Sequence, residues 1–234
     1  MLIVNKPQYI SFAGVDQFTD INKVKKLSSA YPIQWGILCS KTRMGQENRY
    51  PALETMVRFT DNTNCNLGLH LCGVYAKEAL FGNRPDVMEL LPTSNVETIQ
   101  VNTKLFWGSE HMKYWLKNLK DYSEEMNAKI VMQHDRTDCF PGHIEDFIWM
   151  YEASGGNGVE PSTWPINDDK NLVGYAGGIN PDNALRIVQT LQTKAHKYYI
   201  DMESGIRTDD KLDLDKCYSI CKQIYGAPEK GELW

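Results

Sequence analysis

The chain has 234 residues, a formal net charge of −5 and 42% hydrophobic residues. That length can bury one sizeable core, and an acidic balance with no basic run argues against a binder of polymeric nucleic acid or of a membrane surface. No stretch approaches the roughly 18 apolar residues of a membrane span, and the N-terminus carries no basic segment leading into a long apolar one, so a soluble, cytoplasmic protein is expected.

Tyr9 to Val15 is a β-rich run closing on Gly14, followed by Asp16 and an amphipathic helix over Ile21–Ala30. A second strand, Ile33–Leu38, exits into a polar loop carrying Lys41, Arg43 and Arg49 before Pro51 opens a helix. Leu67–Cys72 is a third strand, ending at Gly73 and feeding a helix over Val74–Leu80. A fourth, Glu97–Val101, leads into Asn102-Thr103-Lys104, and the segment from His111 to Met126 has a 3.6-residue period. The fifth, Lys129–Gln133, is followed by His134-Asp135-Arg136, and the sixth, Phe147–Tyr151, by Glu152 and Ser154-Gly155-Gly156-Asn157-Gly158. Trp107, Tyr114, Trp115 and Trp149 are expected to pack between strands and helices. The six cysteines, Cys39, Cys65, Cys72, Cys139, Cys217 and Cys221, form no CxxC pair and read as reduced thiols.

The last two units repeat one pattern. Leu172 to Gly178 is an apolar run ending in paired glycines before a helix over Ala184–Thr193, and Lys197 to Glu203 runs into Ser204-Gly205-Ile206-Arg207 before helical spacing from Leu212 to Ile224. Glycine after a strand brings backbone N–H groups close to an anion, and the loops after strands seven and eight of a (β/α)8 barrel are where phosphate sites recur. Eight such units with no composition break predict one closed α/β barrel spanning 1–234, with a doubly wound open sheet as the rival architecture. The first β/α turn holds a single glycine, so the GxGxxG fingerprint is absent and no dinucleotide or other cofactor is expected.

Several segments, taken in order, resemble phosphoribosylanthranilate isomerase, a TIM-barrel family of the tryptophan pathway. Asn48-Arg49-Tyr50 resembles its Pro-Arg-Tyr/Phe motif, Ser154-Gly155-Gly156-Asn157-Gly158 its Gly-Gly-Thr-Gly loop, Ala176-Gly177-Gly178-Ile179-Asn180-Pro181-Asp182-Asn183 its Ala-Gly-Gly-Leu-x-Pro-x-Asn, and Ser204-Gly205-Ile206 its Ser-Ser-Gly-Val. The resemblance spans nearly the whole chain and implies a single-domain (β/α)8 TIM barrel of the ribulose-phosphate-binding type. It also has a gap. Where the family's Lys-Ile-Cys-Gly-Ile supplies a cysteine general base, this chain reads Ser11-Phe12-Ala13-Gly14-Val15, and Glu152 stands at or next to the family's aspartate acid. What carries over is phosphate binding, without the isomerase's own base.

On these grounds Gly177, Gly178, Ser204 and Gly205 are expected to cradle a phosphate, with Gly156 folding over the ligand. Arg49 and Arg43 are candidates to clamp a carboxylate or second phosphate, against the plainer reading of a solvated loop. Polar residues late in apolar strands, His70, Asn102, His134 and Asp135, are pocket candidates, although a histidine there is as readily a satisfied core residue. Glu152 and Asp16 end facing strands and could divide acid and base work, with His70 as an alternative partner. Helix capping competes for Asp16. A metal set of His70, His134, Asp16 and Glu152 is conceivable, but no metal is expected. Asp201 and Glu203 read as structural, with Arg207 or a lysine as partner.

The expected function is binding of a small phosphorylated ribose or related sugar phosphate, with isomerase- or lyase-type proton transfer. The alternative is a non-catalytic barrel that senses or sequesters a phosphorylated metabolite or a nucleotide signal. Oligomeric state is not legible.

Overall fold

Runs rich in Ile, Val, Leu and aromatic residues, punctuated by glycine, become strands in the computed structural model, which describes residues 3–91, 95–103, 110–229 and 231–234. Lys104 and Trp107 lie outside the described residues. The strands are β1 (Ile10–Ala13), β2 (Ile33–Ser40), β3 (Asn66–Cys72), β4 (Val96–Asn102), β5 (Lys129–His134), β6 (Phe147–Tyr151), β7 (Asn167–Ala176) and β8 (Ala195–Met202). They pair in chain order, all parallel, and β8 closes on β1 through Ile10↔Ile200, Ser11↔Asp201 and Phe12↔Met202. The sheet is a single closed barrel rather than an open one.

The helices are α1 (Ile21–Ala30) after β1, α2 (Leu53–Asn62) after β2, α3 (Val74–Leu80) and the short α4 (Val87–Leu90) after β3, α5 (Met112–Met126) after β4, α6 (Ala184–Leu191) after β7 and α7 (Leu214–Tyr225) after β8. Among the described residues, the connections after β5 and β6 contain no helix. Asp20 caps α1 by accepting from the amides of Asn22 and Lys23, and Asp213 caps α7 through Asp215 and Lys216. The short α4 has no counterpart in the sequence reading, α6 ends at Leu191 rather than Thr193, and further details differ near β7 and β8. β7 begins at Asn167, with an irregular register before Leu172, so the polar Asp168–Lys170 segment is strand. Ser204–Ile206 is a 3-10 turn, and the polar gap before α7 contains a two-stranded hairpin, β9 (Arg207–Thr208) and β10 (Lys211–Leu212). No helix among the described residues is long and apolar enough to cross a membrane.

Side chains alternate between the two faces of each strand, and the two faces differ in chemistry. The outward set, including Phe12, Trp35, Ile37, Leu67, Leu69, Leu71, Ile130 and Ile200, packs with the helices into one large buried apolar layer. Inside the barrel the apolar clusters are small: Val131, Ile148, Met150, Ala176 and Tyr199 form one, and Ala13 and Leu38 with Tyr50 another. Much of the lumen is polar, with Ser11, Gln34, His70, Thr98, Gln100 and Asp201 all buried. Glycines make the space for them. A Cβ on Gly36 would stand 2.9 Å from His70 Nε2, one on Gly68 2.9 Å from Gln34 Oε1, and one on Gly174 2.4 Å from the Tyr199 ring.

Candidate active site

At the C-terminal mouth lies a cavity of about 80 Å³, lined by the ends of β1 and β3 to β8. Ala13, His70, Gln100, Asn102 and Gln133 line one half, and Glu152, Ala176, Asp201 and Glu203 the other, under the loops carrying Gly156, Gly158, Gly177, Gly178 and Ser204. Drug-sized ligands need several hundred Å³, so a cavity of this size matches a phosphate-sized group, with anything attached to it reaching outward.

The loops after β6, β7 and β8 interlock in a ring. A Cβ on Gly158 would fall 2.2 Å from Ser204 Oγ, one on Gly178 2.5 Å from the Glu160 amide nitrogen, and one on Gly205 2.1 Å from the Ile179 carbonyl. Each loop therefore needs a glycine at the point where the next one crosses it. Gly177 and Gly178 also have positive φ, +134° and +62°, which L side chains rarely adopt. The amides of Gly177, Gly178 and Ser204, which line the cavity, have no acceptor among the described residues, and unpaired N–H groups around a small cavity favour an anion.

Three carboxylates surround the cavity, in three electrostatic states. Glu152 accepts from the amides of Ser154 (2.9 Å) and Gly156 (3.0 Å) and from the Ser154 hydroxyl (2.5 Å), so its charge is taken up by its own loop. Glu203 pairs with Arg49 at 2.8 Å; burial nonetheless raises its pKa, with Arg49 opposing. Asp201 has no such partner. Burial pushes its pKa from 3.8 to about 7, the nearby Ser11 hydroxyl pulls the other way and Glu152 adds to the rise, while Oδ1 makes no hydrogen bond.

Opposite the carboxylates stands a wall of amides. Asn102 Oδ1 accepts from Gln100 Nε2 and from Gln133 Nε2, each at 2.9 Å, and Asn102 Nδ2 donates to Cys72 Sγ at 3.2 Å. Gln100 Nε2 also approaches His70 Nδ1 at 3.3 Å. Burial lowers the His70 pKa to about 4, so the imidazole is neutral at physiological pH.

Solved structures share this architecture. The chain is similar to N-(5'-phosphoribosyl)anthranilate isomerase from Pyrococcus furiosus (11% identity, 94% of this chain and 100% of that one, TM-score 0.58). It is also similar to phosphoribosylanthranilate isomerase from Thermotoga maritima (12%, 93% and 98%, 0.54) and to a tryptophan synthase alpha-subunit from P. furiosus (12%, 95% and 99%, 0.54). The fold is a TIM barrel of that type. No protein-family model matches the sequence, and no curated relative does. At these identities the likeness establishes the fold alone.

The TIM barrel brings together Glu152, His70, Asn102, Gly156, Gly177, Gly178 and Ser204 at its mouth. The other candidates go elsewhere. Asp16 is fully buried beneath the β9–β10 hairpin, where its carboxylate takes Arg207 (2.8 Å), the Leu212 amide (2.8 Å), the Phe18 amide (3.0 Å) and the Thr19 hydroxyl (3.1 Å). With both oxygens occupied it ties the β1 loop to the hairpin and does not line the cavity. Gly205 lies behind Ser204 against Ile179. Arg49 is held between Glu203 and Asp210, and Arg43 leans over the Tyr50 ring with Glu47 beside it, at the surface. His134 and Asp135 are adjacent, so they cannot share a face; His134 points outward among Phe140, Trp149 and Tyr151, and Asp135 is exposed beyond the strand. Gln133 is the β5 residue at the mouth. Among the described residues, no three His, Cys, Asp or Glu side chains stand close enough to hold a metal ion.

Asp201, read from sequence as structural, lines the cavity, and so do Gln100 and Gln133, which were not among the sequence candidates. The available signal was alternation: Tyr199, Asp201 and Glu203 are two apart, so they share the inward face. Arg207, the partner expected for one of them, is taken by Asp16.

Proposed function

We propose that this TIM barrel binds a small phosphorylated sugar at its mouth, with the phosphate on the β7 and β8 loops, and moves a proton on it as an isomerase or lyase. Asp201 is the observation that carries the proton-transfer part. A buried carboxyl with a pKa of about 7, facing the cavity and lacking a salt bridge, is suited to exchange a proton near neutral pH. Glu152, hydrogen-bonded by three donors, is the second carboxyl. Two groups whose surroundings differ in this way can divide acid and base roles.

Three carboxylates beside a phosphate need explaining. Glu152 is compensated by its loop, Glu203 by Arg49, and Asp201 is substantially protonated at neutral pH, so the mouth is far less negative than its composition suggests. The phosphoribosyl named for the isomerase neighbours, and the 7-phosphate named for a synthase neighbour from T. maritima with TM-score 0.50, support a phosphorylated ligand by analogy of fold. Ala13 in place of a base cysteine sets the chemistry apart from phosphoribosylanthranilate isomerisation. That same residue supports the second reading, a barrel that holds its ligand without turnover.

The test is a panel of pentose phosphates, ribose 5-phosphate first, incubated with the protein in D2O. Phosphorus NMR reports binding and proton NMR reports deuterium entering the sugar. Ser204→Ala is expected to weaken binding roughly 10- to 100-fold, the worth of a hydrogen bond to a charged group. Asp201→Asn should keep binding and lose deuterium incorporation. Binding with no incorporation anywhere in the panel would favour the holding protein, and an absence of binding throughout would refute both readings.

A further inference from the structure

TIM-barrel lumens are ordinarily filled by layers of branched apolar side chains. Here one wall of the lumen is a polar seam. Among the described residues, the buried side-chain atoms without a hydrogen-bond partner include Tyr9 Oη, Ser11 Oγ, Gln34 Nε2, Tyr199 Oη and Asp201 Oδ1. All five residues lie on the neighbouring strands β8, β1 and β2 or on the residue leading into β1. Ser11 is level with Gln34 in one register and with Asp201 in the other, and the Tyr9 ring stacks on Tyr199 with centroids 4.7 Å apart and planes 11° from parallel. Gly174 makes this arrangement possible, because any side chain there would collide with Tyr199.

The seam has an opening at each end. Asp201 lines the mouth cavity, while Tyr9 and Gln34 line a separate cavity of about 800 Å³ at the N-terminal end of the barrel. Five unpartnered polar atoms packed dry in one wall would cost a large share of a domain's marginal stability, and buried polar groups in native proteins are nearly always satisfied by protein or by ordered water.

We infer that the seam is hydrated, and that its waters and hydroxyls form a proton path joining Asp201 to solvent at the opposite face of the barrel. A proton taken from the ligand by Asp201 then leaves through the floor while the mouth is filled: each hydroxyl or water gives one proton onward as it receives another, and solvent takes up the last. Gln34 cannot relay a proton itself; its carboxamide anchors a water at the lower entrance. The path rests on the role of Asp201 proposed above, whereas the hydration does not.

Two measurements on the intact protein test it. Oxygen-17 relaxation dispersion counts long-lived internal waters in the native protein and in Ser11→Ala and Tyr199→Phe, each variant being expected to lose at least one. Carboxyl carbon-13 NMR near the Asp201 midpoint follows exchange between its two protonation states, expected to slow about tenfold or more in the double variant, the equivalent of one hydrogen-bond step. An unchanged water count, with each variant more stable than native, would show a dry seam and overturn the inference. Lost waters with an unchanged Asp201 exchange rate would overturn the proton path. Deuterium incorporation retained in Asp201→Asn would instead sink the catalytic reading and leave the hydrated seam standing.

Discussion

The two faces of the barrel strands share a backbone and little else. Facing outward, Phe12, Trp35, Leu69 and Ile200 are fully buried in a continuous apolar layer. Facing inward on the same four strands are Ser11, Gln34, His70 and Asp201, equally removed from water but polar. The histidines make the contrast sharpest. Burial lowers both His70 and His134 to a pKa of about 4, yet His70 contacts Gln100 at the mouth while His134 sits among aromatic rings with neither ring nitrogen bonded. Burial is the largest cause at both, opposed by Glu203 at His70 and by Asp135 and Asp138 at His134. Neighbours decide what the imidazole can touch.

If the outer face carries stability, its loss should be the most damaging change. Trp35→Ala, which empties a fully buried site, is expected to cost about 3–5 kcal/mol in urea unfolding. The inner face should show the opposite sign at one position. Because the folded-state pKa of Asp201 is raised to about 7, its protonated form favours the native state below about pH 4, and that advantage is lost as pH rises through 7. Asp201→Asn removes the dependence, so at pH 8 the variant should be more stable than native by up to about 4 kcal/mol, with the gain gone below pH 4. A destabilised variant at pH 8 would mean that the carboxylate is compensated by something other than water.

His134 titrates the other way. Its lowered pKa gives stability that is present above about pH 6.5 and lost as pH falls through 4, so His134→Phe should flatten the acid limb of a pH–stability curve by up to about 3 kcal/mol at pH 4. Gly174→Ala tests the space that the lumen reserves for Tyr199; a cost of about 1–3 kcal/mol is expected from thermal or urea unfolding, the range for overpacking. A neutral outcome there would show that the Tyr199 ring can move aside, weakening the case for a fixed seam.

Much of this was legible in the chain. The helices near Ile21–Ala30 and Val74–Leu80 were readable in place and approximate extent, and the strand Phe147–Tyr151 in its bounds, because apolar period and glycine punctuation are local signals. The loops after strands seven and eight were readable for the same reason. The catalytic candidates were less so. Asp16 and Asp201 both stand at the ends of apolar runs, yet one is saturated with donors and the other has almost none. Which aspartate meets Arg207 depends on a hairpin formed by residues some 190 positions away from Asp16, and no local pattern encodes that meeting.

The sequence by itself therefore determined the order of the eight strands and the loops at which glycine is indispensable, since these follow from periodicity and backbone sterics, whereas closure into a barrel rather than an open sheet was decided by the pairing of β8 with β1. The tertiary structure decided that His134 faces out and Gln133 in, that Arg49 is held by Glu203, and that Asp201 is buried without a charged partner. Those outcomes depend on which side chains distant strands bring within a few ångströms of one another, and electrostatics acts through that distance rather than through sequence separation.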